Sequence, residues 1–343
     1  MAFSATIEPP GAAHPTAKAP LLKVENLQTH LTLARGVVRA VDGVDLEVRE
    51  GETLGVVGES GSGKTMTSLS ILRLLPKPMG RIAGGSITLD GIDLVAIPEH
   101  EMARDWRGRK ISMVSQDPLT SLNPVFSIGD QVGAPLRYHG LASGRRSLRQ
   151  KAVDLLRRVR IPSPEKRLDD YPHQFSGGMR QRVVSAMAIA CAPRLLIADE
   201  PTSNLDVTIQ VQMMELFREL QAETGLGIIL ITHDLGVAAG ICHRIAVMYA
   251  GRVVEAGDVR DIYRNPAHPY TQALLAAIPH LGGGRKKRLQ AIPGMPPSLI
   301  DPPKGCRFAP RCPHRMPRCA DYPPSFAVGP THKAACWLAE KGA

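Results

Sequence analysis

Apolar and polar residues alternate from Leu21 to Val48, as in Leu22-Lys23-Val24-Glu25 and Val44-Asp45-Leu46-Glu47-Val48. A period of two turns one face of a strand to a core and the other to water, so this segment is predicted to form antiparallel strands. The pattern then changes. Thr53-Leu54-Gly55-Val56-Val57, Ile111 to Ser115, Leu195 to Ala198 and Ile228 to Ile231 are short apolar runs, the mark of strands buried on both faces. Gly84 to Gly91 predicts one more short strand closed by a turn. From Leu119 to Phe175 charge rises and Leu148, Val153, Leu155, Leu156 and Val159 recur at helical spacing, with prolines at 135, 162, 164 and 172 expected to break the segment. A small helical subdomain inserted into an α/β core accounts for that stretch. From Leu195 onward strand and helix patterns alternate, which predicts a parallel sheet with crossover helices.

Past Gly257 prolines crowd the chain, and no regular helix or sheet is expected there. Arg285-Lys286-Lys287-Arg288 in this stretch reads as a solvated loop. The first twenty residues, rich in Ala, Pro and Gly, read as a mobile tail without the basic start and apolar stretch of a signal peptide. The expected organisation is a tail over 1–20, an α/β domain over 21–257 with its helical subdomain at about 119–178, and an extension over 258–343. No run approaches the roughly 20 apolar residues that span a bilayer, so a cytosolic chain is expected. The net charge of +10 suits nucleic acid, an anionic membrane surface or an acidic ligand, and chooses none of them.

Chemistry concentrates between strand and helix. Gly58-Glu59-Ser60-Gly61-Ser62-Gly63-Lys64-Thr65 follows an apolar strand and precedes a helix-like segment stopped by Pro76, the context of a phosphate-binding P-loop. Glycines let backbone N–H groups turn inward, and a helix N-terminus adds partial positive charge. Lys64 is the candidate for the β- and γ-phosphates and Thr65 for Mg²⁺. The run Leu195 to Ala198 ends in Asp199, a second candidate for Mg²⁺, and Glu200, a candidate general base for the attacking water. Ser176-Gly177-Gly178 before the apolar stretch Val183 to Cys191 makes a second anion nest. A nucleotide held by one chain needs only one nest, which implies that this one serves a nucleotide bound by another subunit.

Together these segments resemble the ATPase subunit of an ABC transporter over about residues 21 to 335. The resemblance implies a P-loop NTPase core with a parallel sheet, an N-terminal antiparallel β subdomain and an inserted helical subdomain. It assigns Gln116 to the Q-loop beside nucleotide and Mg²⁺, Ser176 to Met179 to the signature motif, and Ser203-Asn204-Leu205-Asp206 to the D-loop, with Asp206 at the nucleotide. It makes His233 the switch histidine that contacts the γ-phosphate. The signature reads Phe-Ser-Gly-Gly-Met rather than the commoner Leu-Ser-Gly-Gly-Gln. Around Ala34-Arg35-Gly36, where such proteins stack an aromatic on adenine, the candidate is the Arg35 guanidinium plane.

Three segments outside the shared core resemble the oligopeptide/dipeptide permease ATPases: Gln116-Asp117-Pro118 with Thr120 to Pro124, Asn265 to Thr271, and Pro293 to Pro297. That resemblance implies an ATP-driven importer of peptides, with importers of nickel, glutathione or antimicrobial peptides as close alternatives. Its implied partners are two transmembrane permease subunits, a second related ATPase subunit and an extracytoplasmic peptide-binding protein, with the chain at the cytoplasmic face of the cell (inner) membrane. A soluble ABC ATPase acting on nucleic acid is the rival, but such proteins carry two cassettes or a long coiled coil, so no nucleic-acid partner is expected. Cys191 and Cys242 sit in apolar surroundings and read as core residues. Cys306, Cys312, Cys319 and Cys336 suit zinc or an iron–sulfur cluster, and spacing decides little between them. Resemblance to peptide-permease ATPases implies a 4Fe–4S cluster that staples the extension.

Overall fold

The computed structural model describes residues 19–203, 205–278 and 291–340. The expected tail up to residue 18, Asn204 of the D-loop segment and the basic run Arg285–Arg288 lie outside the described residues. In chain order the larger elements are β1 (Leu22–Leu33), β2 (Gly36–Val48), β3 (Thr53–Val57), α1 (Lys64–Ile71), β4 (Gly80–Leu89), β5 (Ile92–Asp93), α2 (Glu99–Glu101), β6 (Ile111–Val114) and α3 (Pro118–Ser121). The stretch expected to be a helical subdomain holds α4 (Ile128–Tyr138), α5 (Arg145–Arg158) and α6 (Pro164–Arg167), and α7 (Gly177–Ile189) begins at its end. Then come β7 (Leu195–Asp199), α8 (Val207–Thr224), β8 (Gly227–Thr232), α9 (Leu235–Ile241), β9 (Arg244–Tyr249), β10 (Arg252–Asp258), α10 (Val259–Arg264), α11 (Pro269–Ala276), β11 (Phe326–Ala327) and β12 (Lys333–Ala334).

Two sheets form. β1 lies between β2 and β4, antiparallel to both, with β5 on the outer side of β4. The larger sheet runs β11-β12-β10-β9-β3-β8-β7-β6, and β9, β3, β8, β7 and β6 are mutually parallel. Its central strands are buried on both faces, which is why they carry unbroken apolar runs rather than alternation. Leu196 and Ala198 of β7 face the core beneath the helical subdomain, while Leu195 and Ile197 face the core shared with the antiparallel sheet. Gly55 of β3 has no side chain because Cys242 fills the space: a Cβ there would lie 2.8 Å from its Sγ. Cys242 and Cys191 are both buried free thiols, matching their reading as core residues.

Two expectations need correction. Pro135 lies inside α4 and does not end it. A proline deletes the hydrogen bond to the carbonyl four residues back, but the packing of α4 on α5 and α7 carries the helix on to Tyr138. The extension, expected to lack regular structure, contains α10 and α11 and contributes β11 and β12 to the large sheet. Its helices fit into proline-free intervals or begin on a proline, as α11 does at Pro269, where the missing N–H costs nothing.

The extension is strapped to the sheet through a buried carboxylate. Glu255 on β10 accepts from the backbone N–H of Ala267 (2.6 Å) and of His268 (3.0 Å), and its Oε1 lies 2.6 Å from His332 Nε2. Glu255 and His332 are both almost fully buried. Removing one partner of such a set leaves the others unsatisfied in a low-dielectric interior, so Glu255→Ala is expected to destabilise the fold by about 3 kcal/mol. A denaturant titration of the full chain checks this, and an unchanged midpoint would show that the strap carries no weight.

Candidate active site

The strand ends of the large sheet assemble the candidate site. β3 pairs in register with β8 so that Val57 lies opposite Thr232, and β7 pairs with β8 so that Asp199 lies opposite Ile231. The residues that follow, Gly58, His233 and Glu200, therefore leave adjacent parallel strands at one edge. β6 pairs with β7 and ends at Val114, opposite Ala198, which delivers Gln116 to the same edge. The carboxyl edge of a parallel sheet is where α/β folds bind ligands, because the chain leaves the sheet there as loops and helix N-termini.

The P-loop needs its glycines. Gly63 has φ 104°, in the left-handed region that side chains avoid, and a Cβ on it would lie 2.4 Å from the carbonyl oxygen of Ala40. A Cβ on Gly58 would lie 2.2 Å from the carbonyl oxygen of Met248. Lys64 is buried at the start of α1, and its Nζ donates to the carbonyls of Gly58 (2.8 Å) and Glu59 (2.9 Å). Burial lowers its pKa, while Glu200, Asp199 and Glu59 act in the opposite sense.

Asp199 and Glu200 are neighbours with different surroundings. Asp199 is buried, and its carboxyl pKa is raised chiefly by that burial, against a hydrogen bond from Thr65. Its Oδ1 and the Ser62 hydroxyl are buried atoms without a hydrogen-bond partner. Glu200 has φ 46°, the left-handed region again, and its backbone N–H donates to the carbonyl of Ile231 (2.9 Å). Ser203 Oγ donates to the carbonyl of Glu200 (3.2 Å), so the turn is pinned on both sides. The Glu200 carboxylate accepts from Gln116 Nε2 (2.9 Å) on one oxygen and lies 3.2 Å from His233 Nδ1 on the other. Three residues distant in sequence thus meet on one carboxylate.

The hydrogen bonds of the other expected residues lead elsewhere among the described residues. Ser176 caps α7, its Oγ accepting from Met179 N–H at 3.4 Å. Gly177 beside it is exposed, and Gly178 is tight, since a Cβ there would meet Ile209 at 2.8 Å. Asp206 caps α8, accepting from Ile209 N–H (3.0 Å). Arg35 stands exposed in the turn between β1 and β2.

Residues 41–203 match the ABC transporter family, and residues 254–319 match the C-terminal region of oligopeptide/dipeptide transporters. A probable peptide ABC transporter ATP-binding protein of Sinorhizobium fredii is 49% identical over 318 residues, covering 92% of this chain and 94% of that protein. The chain belongs to the ATP-binding subunits of ABC transporters. The oligopeptide transport ATP-binding protein OppD of Bacillus subtilis is 49% identical, with 93% of this chain and 88% of that one covered. The dipeptide transport ATP-binding protein DppD of the same organism is 48% identical, with 94% and 96% covered. Among solved structures, the ATP-binding cassette MJ0796, a dimer bound to ADP and phosphate, covers 70% of this chain and 99% of its own. It superposes with a TM-score of 0.63 at 27% identity. The family fold is the α/β architecture expected from the motifs.

The iron–sulfur expectation, and zinc with it, fails. Cys306, Cys312, Cys319 and Cys336 are free thiols, and among the described residues no group of three or more His, Cys, Asp or Glu is arranged to hold a metal ion. Burial raises the thiol pKa of Cys306 and Cys312 and pushes that of Cys336 up to about 11. Cys306 and Cys312 instead pack against the main core, and ion pairs do the stapling.

Those ion pairs come from arginines that the motifs did not flag. Arg307 is buried against Asp42 of β2 and also donates to the carbonyl of Ala250. Arg311 grips Glu59 of the P-loop with both Nη atoms, at 2.7 and 3.0 Å. Tyr270 OH accepts from the Glu59 N–H at 2.8 Å. The only signal available beforehand was arginine beside cysteine in a proline-rich stretch, which names no partner.

Proposed function

We propose that this chain hydrolyses ATP to drive peptide import through a membrane permease, with Glu200 as general base. The observation that carries the catalytic part is the meeting of Gln116, His233 and Glu200 at strand ends that also present Lys64, Thr65 and Asp199. Glu200 takes a proton from the attacking water; Gln116 and His233 fix the direction of its two oxygens. Lys64 and the P-loop N–H groups carry the β- and γ-phosphates.

Thr65, Asp199 and, in the closed state, Gln116 are the residues that would hold Mg²⁺. The fit rests on an unpartnered buried Asp199 carboxylate oxygen on a side chain that meets the Thr65 hydroxyl, a hard-oxygen donor set. Bound there, the ion supplies charge neutralisation at the phosphate oxygens. Ser176, Gly177, Gly178 and Asp206 serve the nucleotide of a second ATPase subunit, which agrees with their place outside this chain's own cluster. The dimeric cassette that superposes on the core supports such pairing. Arg35 stacks on the base.

Among the described residues no helix is long and apolar enough to cross a membrane. By analogy with its peptide-transport relatives, the chain works as a peripheral subunit on the cytoplasmic side, carried by two permease subunits and supplied by an extracytoplasmic binding protein. Peptide as substrate rests on the named functions of the relatives and on the matching C-terminal region. The test is reconstitution in vesicles with the two subunits of a peptide permease and its binding protein. Peptide-loaded binding protein is expected to stimulate ATP hydrolysis several-fold. Stimulation by nickel or glutathione but not by peptides would overturn the substrate assignment.

A further inference from the structure

Glu59 is an odd residue for its position. It is the second residue of a loop that has to receive a polyphosphate, and like charges in close approach repel. Its carboxylate is partly buried and faces Arg311, whose side chain is only 4% exposed. The pairing is bidentate, the geometry in which guanidinium and carboxylate interact best. Arg311 has little freedom to leave. Its Nε donates to the Pro293 carbonyl (2.9 Å), Nη2 also reaches the Ile292 carbonyl (3.3 Å), and Nη1 also reaches Tyr249 OH (3.2 Å). Its guanidinium lies 5.8 Å from the Tyr249 ring centre and 6.0 Å from that of Phe308. The hydrogen bonds to Glu59 raise its pKa above the ordinary arginine value, so it is charged at any working pH. Tyr270, also from the extension, takes the backbone N–H of the same glutamate.

We propose that Arg311 is a positioning residue of the nucleotide site, through which the C-terminal extension cancels the charge of Glu59 and turns its carboxylate away from the phosphates. The inference rests on the ATPase reading above and deepens it: the extension, 252 residues along the chain from the loop, sets the affinity for ATP. The backbone of Glu59 makes the coupling direct, because its carbonyl accepts from Lys64 Nζ and from the Ser62 N–H (3.2 Å). A side chain free to swing would bring negative charge toward the lysine that binds phosphate and would loosen the loop at its first turn.

The test is steady-state kinetics and Mg-ATP titration calorimetry on the full chain. Arg311→Met is expected to raise the KM and Kd for ATP by roughly tenfold while kcat stays within about twofold, the split that marks lost binding rather than lost chemistry. Adding Glu59→Gln to Arg311→Met is expected to restore ATP affinity to within about threefold of the parent, because the charge that needed cancelling is gone. An extension that merely supports the fold gives no such rescue. An unchanged Kd in Arg311→Met, or a raised Kd that Glu59→Gln leaves raised, overturns the proposal. Should Arg311→Met not fold, Arg311→Lys keeps the charge without the fork and is expected to weaken ATP binding by about threefold, again relieved by Glu59→Gln. A parent chain that neither binds nor hydrolyses Mg-ATP sinks the ATPase reading itself; a parent that does, with indifferent variants, sinks only the role of Arg311.

Discussion

Glu200→Gln is expected to leave ATP bound and to stop its hydrolysis. The substitution keeps the size of the side chain and removes the basic oxygen pair. Gln116 Nε2 and His233 Nδ1 both aim at that carboxylate, at 2.9 and 3.2 Å, and neither neighbour is a carboxylate able to replace it. The other nearby acid, Asp199, is buried and takes a hydrogen bond from Thr65, whereas the Gln116 and His233 side chains both meet Glu200. A positioned base contributes about 10²–10⁴ in rate, and a loss of that size in kcat with an ATP Kd changed by less than about threefold is the expected result. Retained ATP without turnover should also hold the chain to its second ATPase subunit, visible as an ATP-dependent dimer in size-exclusion chromatography of the two together. Normal turnover in Glu200→Gln would remove this residue from the chemistry, and loss of ATP binding would mean that it supports the loop instead. The left-handed backbone of Glu200 sharpens the test. Glutamine meets the same backbone cost as glutamate, so any loss lies in the carboxylate and not in strain.

The site was legible where chemistry follows directly from local order. Strand, glycine loop and helix specify Gly58 to Thr65 in a contiguous stretch, and an apolar run ending in Asp199-Glu200 announces a strand edge. Parallel pairing then does the rest: once β3, β8, β7 and β6 are adjacent, Gly58, His233, Glu200 and Gln116 must share an edge. Alternation over Leu22–Val48 gave the antiparallel sheet for the same local reason. What could not be read is what depends on long-range packing. Arg311 and Glu59 carry no pattern that joins them, since an ion pair has no period. Pro135 was misjudged because helix propensity ignores the packing of α4 on α5 and α7. The cysteines misled for a related reason. Thiols close in sequence suggested a metal, yet among the described residues no group arranged to hold one forms, and the extension is tied down by Arg307 with Asp42, Arg311 with Glu59 and His332 with Glu255.

Lys64→Ala is expected to fail one step earlier than Glu200→Gln, at binding. Lys64 is buried at the N-terminus of α1 with its ammonium tied to the carbonyls of Gly58 and Glu59, and Asp199, Glu200 and Glu59 surround it with negative charge. Removing it deletes the side-chain cation of the loop and leaves Asp199 and Glu200 without that cation where a polyanion must enter, while Glu59 stays paired with Arg311. Hydrogen bonds to a charged partner contribute about 1.5–3 kcal/mol, and the added repulsion acts in the same direction, so a loss of roughly 100-fold in ATP affinity is expected. Calorimetry with Mg-ATP reads the affinity directly, and hydrolysis falls with it. Adenosine, which carries no phosphate, separates the causes: its weak binding should not change in Lys64→Ala if the lysine acts on phosphate. Equal losses for ATP and adenosine would instead mean that the loop has collapsed. The loop has reason to survive, because its shape is set by Gly58 and Gly63 against the Met248 and Ala40 carbonyls and by the grip of Arg311 and Tyr270 on Glu59, none of which needs the lysine. The contrast between the two variants is therefore decisive: Glu200→Gln binds and cannot turn over, Lys64→Ala cannot bind, and a protein in which both behaved alike would not be using these residues as a base and a phosphate anchor.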